Sequence, residues 1–251
     1  MADDNSYHRL LAEYRKRDNY AEVFRTALDE MAADQVDFGR VRSCIAFGTG
    51  AGEREIEFVR RLMPNVRAFT AVEPDPESVR ALRDGFQRGR LPGVETAVVE
   101  STLENWSGVD SAPVDAVLLI SVLAGVHSAD RRALFHQLAT RHLSPGGTVV
   151  IVDNVCSVPS GFLLVLQRLG MPRDDYVTME KEMLDCGFRV VLSRDLRITR
   201  DLSNPSEDVV KFIALLTDYK HTEREVRAAI DDVYSRPNMD VCVKKLAIFT
   251  K

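Results

Sequence analysis

A doubly wound α/β fold around a mostly parallel sheet is what this sequence predicts, on three observations. Short apolar runs rich in Val, Ile and Phe alternate with helix-period segments along most of the chain. The run over 114–122 is nearly continuous in Val, Leu and Ile, as suits a strand buried on both faces. The first run, Ser43–Phe47, passes directly into Gly48-Thr-Gly-Ala-Gly52, and a helical pattern follows. Such alternation builds right-handed strand–helix–strand units on one sheet.

The elements follow in order. Residues 7–33 carry Leu10, Leu11, Tyr14, Tyr20, Val23, Phe24, Ala27, Leu28 and Met31 at helical spacing. The run Arg15-Lys-Arg-Asp18 interrupts the pattern, so two short helices are expected, with Asp18 or Asn19 capping the second. After the first strand a helix runs to Met63, where Pro64 stops it, and a second strand over 67–73 stops at Pro74. A helix over 76–85 buries Val79, Leu82 and Phe86, and strands are expected over 95–100 and 114–122. A helix over 129–143 closes on Ser144-Pro-Gly-Gly147 before a strand over 148–152. The apolar stretch 159–169 reads as helical, and a helix over 178–186 ends at Gly187, a fitting residue for the left-handed cap position. A strand over 188–197, helices over 207–217 and 223–234 and a strand over 241–249 complete the chain. Its last two strands are expected to form an antiparallel edge, giving seven strands. The chain reads as one domain, with a helical lid over 1–40, a ligand-binding core over 41–155 and a substrate-side extension over 156–251.

Composition narrows the function classes. The 251 residues are 45% apolar and 28% charged, ordinary for a soluble globular chain. A net charge of −5 argues against nucleic-acid or anionic-membrane partners, which need a basic face. The longest uncharged apolar stretch, Ala116 to Val126, falls well short of the ~20 residues of a bilayer span. The start Met1-Ala-Asp-Asp-Asn-Ser has no secretory pattern, so a cytoplasmic, monomeric protein is the expectation. Cys44, Cys156, Cys186 and Cys242 are far apart with no paired spacing, against a disulfide framework or a zinc site. No metal is expected.

Two signals carry chemistry. Glycines at 48, 50 and 52 between a strand and a helix let a backbone approach a ligand closely. Glu73 ends the next strand, where a carboxylate can accept two ribose hydroxyls. The pair points to a nucleoside. The spacing is G-x-G-x-G rather than the G-x-G-x-x-G of dinucleotide folds, which argues against a nicotinamide oxidoreductase. Glu53 and Glu55 occupy the start of the helix and would repel a diphosphate there. A cofactor without phosphates fits better, and S-adenosylmethionine is such a cofactor.

Ile45-Ala-Phe-Gly-Thr-Gly-Ala-Gly-Glu, Ala71-Val-Glu-Pro, Val114-Asp-Ala-Val-Leu-Leu-Ile and Leu143-Ser-Pro-Gly-Gly-Thr-Val-Val-Ile are similar, in order, to the motifs of class I S-adenosylmethionine-dependent methyltransferases. More narrowly, the chain resembles the histamine N-methyltransferase family. The carriers are Tyr7 with the helix-rich start, Gly50-Ala-Gly-Glu, Val72-Glu-Pro, Pro159-Ser-Gly-Phe162, Pro172-Arg-Asp-Asp175-Tyr-Val-Thr and Leu246-Ala-Ile-Phe. The resemblance implies a Rossmann-like fold and cofactor contacts at Gly48, Thr49 and Gly50, at Glu73 with Pro74, at Ser78, at Ser101 or Thr102 near the adenine, and at Ile120 with Ser121. On the substrate side, the family's helical glutamate falls on Asn19-Tyr20, with Asp18 and Glu22 beside it. Its glutamine falls on Ser121, a tyrosine on Gly125, a tryptophan on Phe162 and an asparagine on Lys244. The polar anchors are thus changed while the cofactor face is kept, leaving Tyr14, Asp18, Tyr20, Gly125, Phe162 and Lys244 as substrate-side candidates.

Several residues carry two readings. Ser101-Thr102 could meet the adenine or cap a helix. Tyr14, Tyr20 and Phe162 could line a pocket or pack a core. Lys244 could face the pocket or, with Lys245, guard a sheet edge. Asp115, at the start of its strand, reads as structural, and His127 as a loop histidine or a proton acceptor. No catalytic residue is singled out. The activity implied is methyl transfer to a small molecule, at nitrogen by preference. Transfer to oxygen and a binding protein without turnover stand as alternatives.

Overall fold

The computed structural model describes residues 7–34, 36–106, 112–158, 160–171, 174–217, 220–236 and 240–251. Pro159, Pro172 and Arg173, which help carry the family resemblance, lie outside the described residues. Helices α1 (Tyr7–Arg15) and α2 (Tyr20–Ala33) lead into β1 (Ser43–Phe47), α3 (Glu53–Leu62), β2 (Ala68–Glu73), α4 (Pro76–Gln87), β3 (Glu95–Glu100) and β4 (Val114–Ile120). Then come α5 (Ser128–Gln137), β5 (Leu143–Asn154), α6 (Gly161–Arg168), α7 (Tyr176–Asp185), β6 (Arg189–Thr199), α8 (Glu207–Leu216), α9 (Glu223–Tyr234) and β7 (Val241–Thr250).

The seven strands form one sheet in the order β3-β2-β1-β4-β5-β7-β6. Pairings among β1 to β5 are parallel, and β7 runs antiparallel to both neighbours. The chain direction across the sheet reverses at β1, so the crevice beyond the carboxyl ends of β1 and β4 is the topological switch point. The last two strands form the expected antiparallel pair at the sheet's edge, with β6 outermost and β7 inside it. Lys244 therefore pairs with Asn154 at the carboxyl end of β5, next to that crevice.

Three apolar clusters explain the layers. Phe24, Leu28 and Met31 of α2 pack with Ile56 and Phe58 of α3 on one sheet face. Leu134 and Phe135 of α5 and Met179 and Met183 of α7 cover the other. The third cluster joins Leu10 and Tyr14 of α1 to α6, α8 and α9. Of the helical segment expected as a lid, only α1 joins this cap, while α2 is part of the sheet's own layer. A fully buried ring such as Phe24 contributes about 2–3 kcal/mol.

Some boundaries differ from expectation. The helix over 129–143 ends at Gln137, and one wide turn over Leu138–His142 follows. Strand β5 begins at Leu143 because Ser144-Pro-Gly-Gly147 is carried as a bulge, the register jumping from Val114↔Leu143 to Ala116↔Thr148. Asp175 caps α7 two residues earlier than the periodicity implied. The strand over 114–122 stops at Ile120, because Ser121 turns the chain at φ 60°.

Candidate active site

A cavity of about 590 Å³ opens at the switch point and is lined by the carboxyl ends of the strands and by the cap. Its floor is the glycine turn. Gly48, Gly50 and Gly52 have φ of 60°, 52° and 76°. A Cβ on Gly48 would stand 2.5 Å from Val122 Cγ2, whereas one on Gly50 would meet nothing within 4 Å. Gly48 is thus a packing requirement. Gly50 keeps open a backbone surface facing the cavity, where a ligand can lie against it.

Glu73 completes the floor. Its Oε2 accepts the Gly50 N–H at 2.7 Å and its Oε1 the Asp75 N–H at 3.0 Å. Burial pushes this carboxyl up, against those two bonds that favour the charged form. A carboxylate offers about four lone-pair sites, so two remain for hydroxyls of a bound nucleoside. The open face of Gly50 and the unspent acceptors of Glu73 fit a ribose.

Gly48, Thr49, Gly50, Glu73, Pro74, Thr102, Ile120 and Ser121 all line the cavity. Ser78 and Ser101 do not. Ser78 is buried inside the first turn of α4, where its N–H bonds the Asp75 side chain. The Ser101 hydroxyl bonds the Thr102 carbonyl. Thr102 Oγ1 accepts the Asn105 N–H, so it caps a turn, not a helix, while still facing the cavity.

The substrate-side candidates Tyr14, Asp18, Tyr20, Gly125, Phe162 and Lys244 line the same cavity. Tyr14 is both core and lining: its ring lies 5.3 Å from Phe162 and 4.8 Å from Phe212, and its buried hydroxyl has no hydrogen-bond partner. Asp18 is not free to receive a cation. Its carboxylate takes Arg200 at 2.7 and 3.1 Å, both side chains nearly fully buried. Arg200 also stacks on Tyr14 and Phe162, 4.9 and 5.0 Å from the ring centres. Asn19 exchanges hydrogen bonds with Thr199, so the break between α1 and α2 is stitched to the end of β6.

Lys244 is 5% exposed and points into the cavity, away from any sheet edge, while Lys245 pairs with Asp195 on β6. Its ammonium donates to Ser121 Oγ at 3.1 Å and lies 5.4 Å from the Tyr20 ring centre. Burial lowers its pKa, partly offset by the charge of Asp153. Ser121 is the one non-glycine described residue in the left-handed region, a conformation costing about 1–3 kcal/mol that concentrates at functional sites.

Sequence reasoning missed Arg54, Asp153 and Arg200, and saw Glu55 only as a charge at a helix start. Asp153 follows the expected end of its strand, so the carboxyl-end rule would have found it. It accepts N–H groups from Ala124 and Asn154. Arg54 stacks on Tyr20 at 4.6 Å, with its buried Nε unpartnered. Glu55 is 3% exposed, and burial pushes its carboxyl up to about 7. His127 is no proton acceptor in the cavity, because its Nδ1 accepts the Ala129 N–H and caps α5. Asp115 holds the Arg42 and Ser43 N–H groups, the structural role expected of it. Among the described residues no group of three or more His, Cys, Asp or Glu is placed to hold a metal, and no helix is long and apolar enough to cross a membrane.

A seven-stranded sheet with one antiparallel strand, a glycine turn after β1 and an acid ending β2 together define the Rossmann-like methyltransferase fold. Residues 45–151 match the family model described as a methyltransferase domain. A putative methyltransferase from Bacillus halodurans is similar at 15% identity and TM-score 0.64, covering 90% of this chain and 99% of its own. The N-methyltransferase NodS from Bradyrhizobium japonicum, solved with S-adenosyl-L-homocysteine, is similar at 13% identity and TM-score 0.60, covering 99% of each chain. A putative sarcosine dimethylglycine methyltransferase from Galdieria sulphuraria is similar at 12% identity and TM-score 0.57, covering 90% of this chain and 84% of its own. No curated protein sequence matches the chain.

Proposed function

We propose that this protein transfers a methyl group from S-adenosylmethionine to a nitrogen of a small-molecule amine, imidazole or amino-acid derivative. One observation carries the reading: the cavity whose floor joins Gly50 to Glu73 runs on, without a dividing wall of secondary structure, to Tyr14, Tyr20, Phe162 and Lys244. Donor and acceptor thus share one chamber. Gly48, Thr49, Gly50, Glu73, Pro74, Thr102, Ile120 and Ser121 would hold the cofactor, whose bound sulfonium supplies an electrophilic methyl.

The remaining work falls to positioning, since an SN2 step needs a nucleophile held in line and water kept out. Tyr14, Phe162 and Phe212 form the apolar wall against which an acceptor would lie. Nitrogen is favoured over oxygen because neither the buried phenols of Tyr14 and Tyr20 nor His127 is suited to strip a hydroxyl of its proton. Burial pushes the Tyr14 hydroxyl far up and that of Tyr20 to about 12, so both stay protonated, and His127 is a cap. A neutral amine needs no such base. The proton its ammonium form sheds has an acceptor in Glu55, which lines the cavity and binds a proton near neutrality. The resemblance to the histamine N-methyltransferase family supports the same choice of atom.

A screen of amines, imidazoles, amino acids and phenols, read by S-adenosylhomocysteine release, tests the reading. Turnover with nitrogen nucleophiles is expected. Turnover confined to phenols, or none with any acceptor by a protein that binds the cofactor, would overturn it.

A further inference from the structure

The acceptor end of the cavity holds hydrogen-bond donors with nothing to donate to. The Lys244 ammonium has three N–H groups, and one is used, on Ser121 Oγ. It forms no ion pair among the described residues, although it is almost wholly removed from water. The Tyr14 hydroxyl and the Arg54 Nε–H are buried on the same cavity without partners. Two of the acids nearby are already engaged. Asp18 is neutralised by Arg200 in a two-point bond. Asp153 is held by the Ala124 and Asn154 N–H groups and acts on Lys244 only at longer range. A buried ammonium without a paired anion is costly, and buried donors without acceptors cost about 1–3 kcal/mol each. The strained Ser121 adds to the pattern, since its backbone holds the hydroxyl where it meets Lys244.

We propose that Lys244, with Tyr14 as a second donor, receives a carboxylate carried by the methyl acceptor, so that the substrate class is amino acids or their carboxylate-bearing derivatives rather than simple amines. A carboxylate is the chemistry this inventory lacks: a planar anion with several acceptor sites for convergent N–H and O–H donors. The antiparallel course of β7 is what makes the site. It brings a lysine from the start of the last strand to the carboxyl end of β5, where a parallel strand would present its final residues instead. The inference rests on the methyltransferase reading of the cavity. Its anion has one rival source, the amino-acid end of the cofactor itself, and the experiment separates the two.

The test is calorimetric titration of the S-adenosylhomocysteine-loaded protein with three matched pairs that differ by one carboxylate: histidine and histamine, phenylalanine and 2-phenylethylamine, tyrosine and tyramine. The carboxylate member of at least one pair should bind ~10-fold more tightly or better. That advantage should vanish in Lys244→Met and largely return in Lys244→Arg, which keeps the charge, while affinity for S-adenosylhomocysteine stays unchanged in both. No preference in any pair for the unaltered protein overturns the inference, whatever the variants do. So does a preference that survives Lys244→Met. A Lys244→Met protein that loses S-adenosylhomocysteine itself assigns the lysine to the cofactor and also overturns it. Because binding is read, failure here is distinct from failure of the activity. A protein that favours carboxylates through Lys244 yet releases no S-adenosylhomocysteine with any acceptor keeps this inference and loses the proposed function.

Discussion

Glu73 accepts the Gly50 N–H at 2.7 Å, tying the end of β2 to the middle of the glycine turn after β1. A single carboxylate therefore shapes the turn and, with its remaining lone pairs, faces the cavity. Glu73→Ala removes both roles. It should weaken S-adenosylmethionine binding by roughly 2–3 kcal/mol through the loss of two charge-assisted hydrogen bonds. Glu73→Gln keeps an acceptor oxygen and should lose less. Calorimetric titration of each folded variant checks the order, and an unchanged dissociation constant for Glu73→Ala removes the carboxylate from the ribose site.

The two glycines of the turn should fail differently. Gly50→Ala meets no neighbour, so it should cost about 1–2 kcal/mol of stability from its positive φ. Its methyl projects toward the cavity and should cost cofactor affinity as well. Gly48→Ala adds a clash with Val122 to a similar φ and should destabilise more. Urea unfolding beside cofactor titration separates the two. Equal stability losses would contradict the packing account of Gly48.

The buried Asp18–Arg200 pair should be structural. Asp18→Ala leaves the Arg200 guanidinium buried and unpaired between two rings, at a cost of about 3–5 kcal/mol. Were Asp18 an anchor for a cationic substrate, its loss would raise KM and leave unfolding midpoints alone. Chemical denaturation and kinetics on one sample decide between these outcomes.

Much of this was legible from sequence, and the residues show why. Alternating apolar runs reported the strands because burial on both faces demands them, and the place of Gly48, Gly50 and Glu73 on the cavity was readable because strand ends are local features of the chain. Thr102 and Lys244 were ambiguous, since their direction depends on which strand lies beside which. The position of β7 inside the sheet resolves Lys244, and no pattern near residue 244 encodes that position. Arg200 gave no signal at all: its meaning comes from Asp18, brought to it by the α1–α2 break from far along the chain. Ser78 lies off the cavity because it belongs to the first turn of its helix, where its N–H bonds Asp75, a place that sequence position alone does not separate from a ligand contact.

Glu55 links stability to pH. Burial is the main cause of its rise to about 7 from an ordinary 4.5, with the Glu73 charge adding, and with its own N–H, Arg15 and Arg54 opposing. The folded protein thus keeps a proton that the unfolded chain releases between those values. The stability this confers is full below pH 4.5 and is lost as pH rises through 7. Glu55→Gln carries no such charge. It should be more stable than the parent by roughly 3 kcal/mol at pH 8, with the difference closing toward pH 4.5. Denaturant unfolding at both pH values reads the sign. A variant less stable at pH 8 would show the carboxylate to be paired rather than stranded.

The central claim is that the Gly50–Glu73 floor binds S-adenosylmethionine for methyl transfer. Titration of the folded protein with S-adenosylmethionine, S-adenosylhomocysteine and NADH in parallel tests it most directly. One-to-one binding of the first two, lost in Glu73→Ala, and no binding of NADH is the predicted result. Binding of NADH in preference to S-adenosylmethionine, or S-adenosylmethionine binding indifferent to Glu73→Ala, would contradict it.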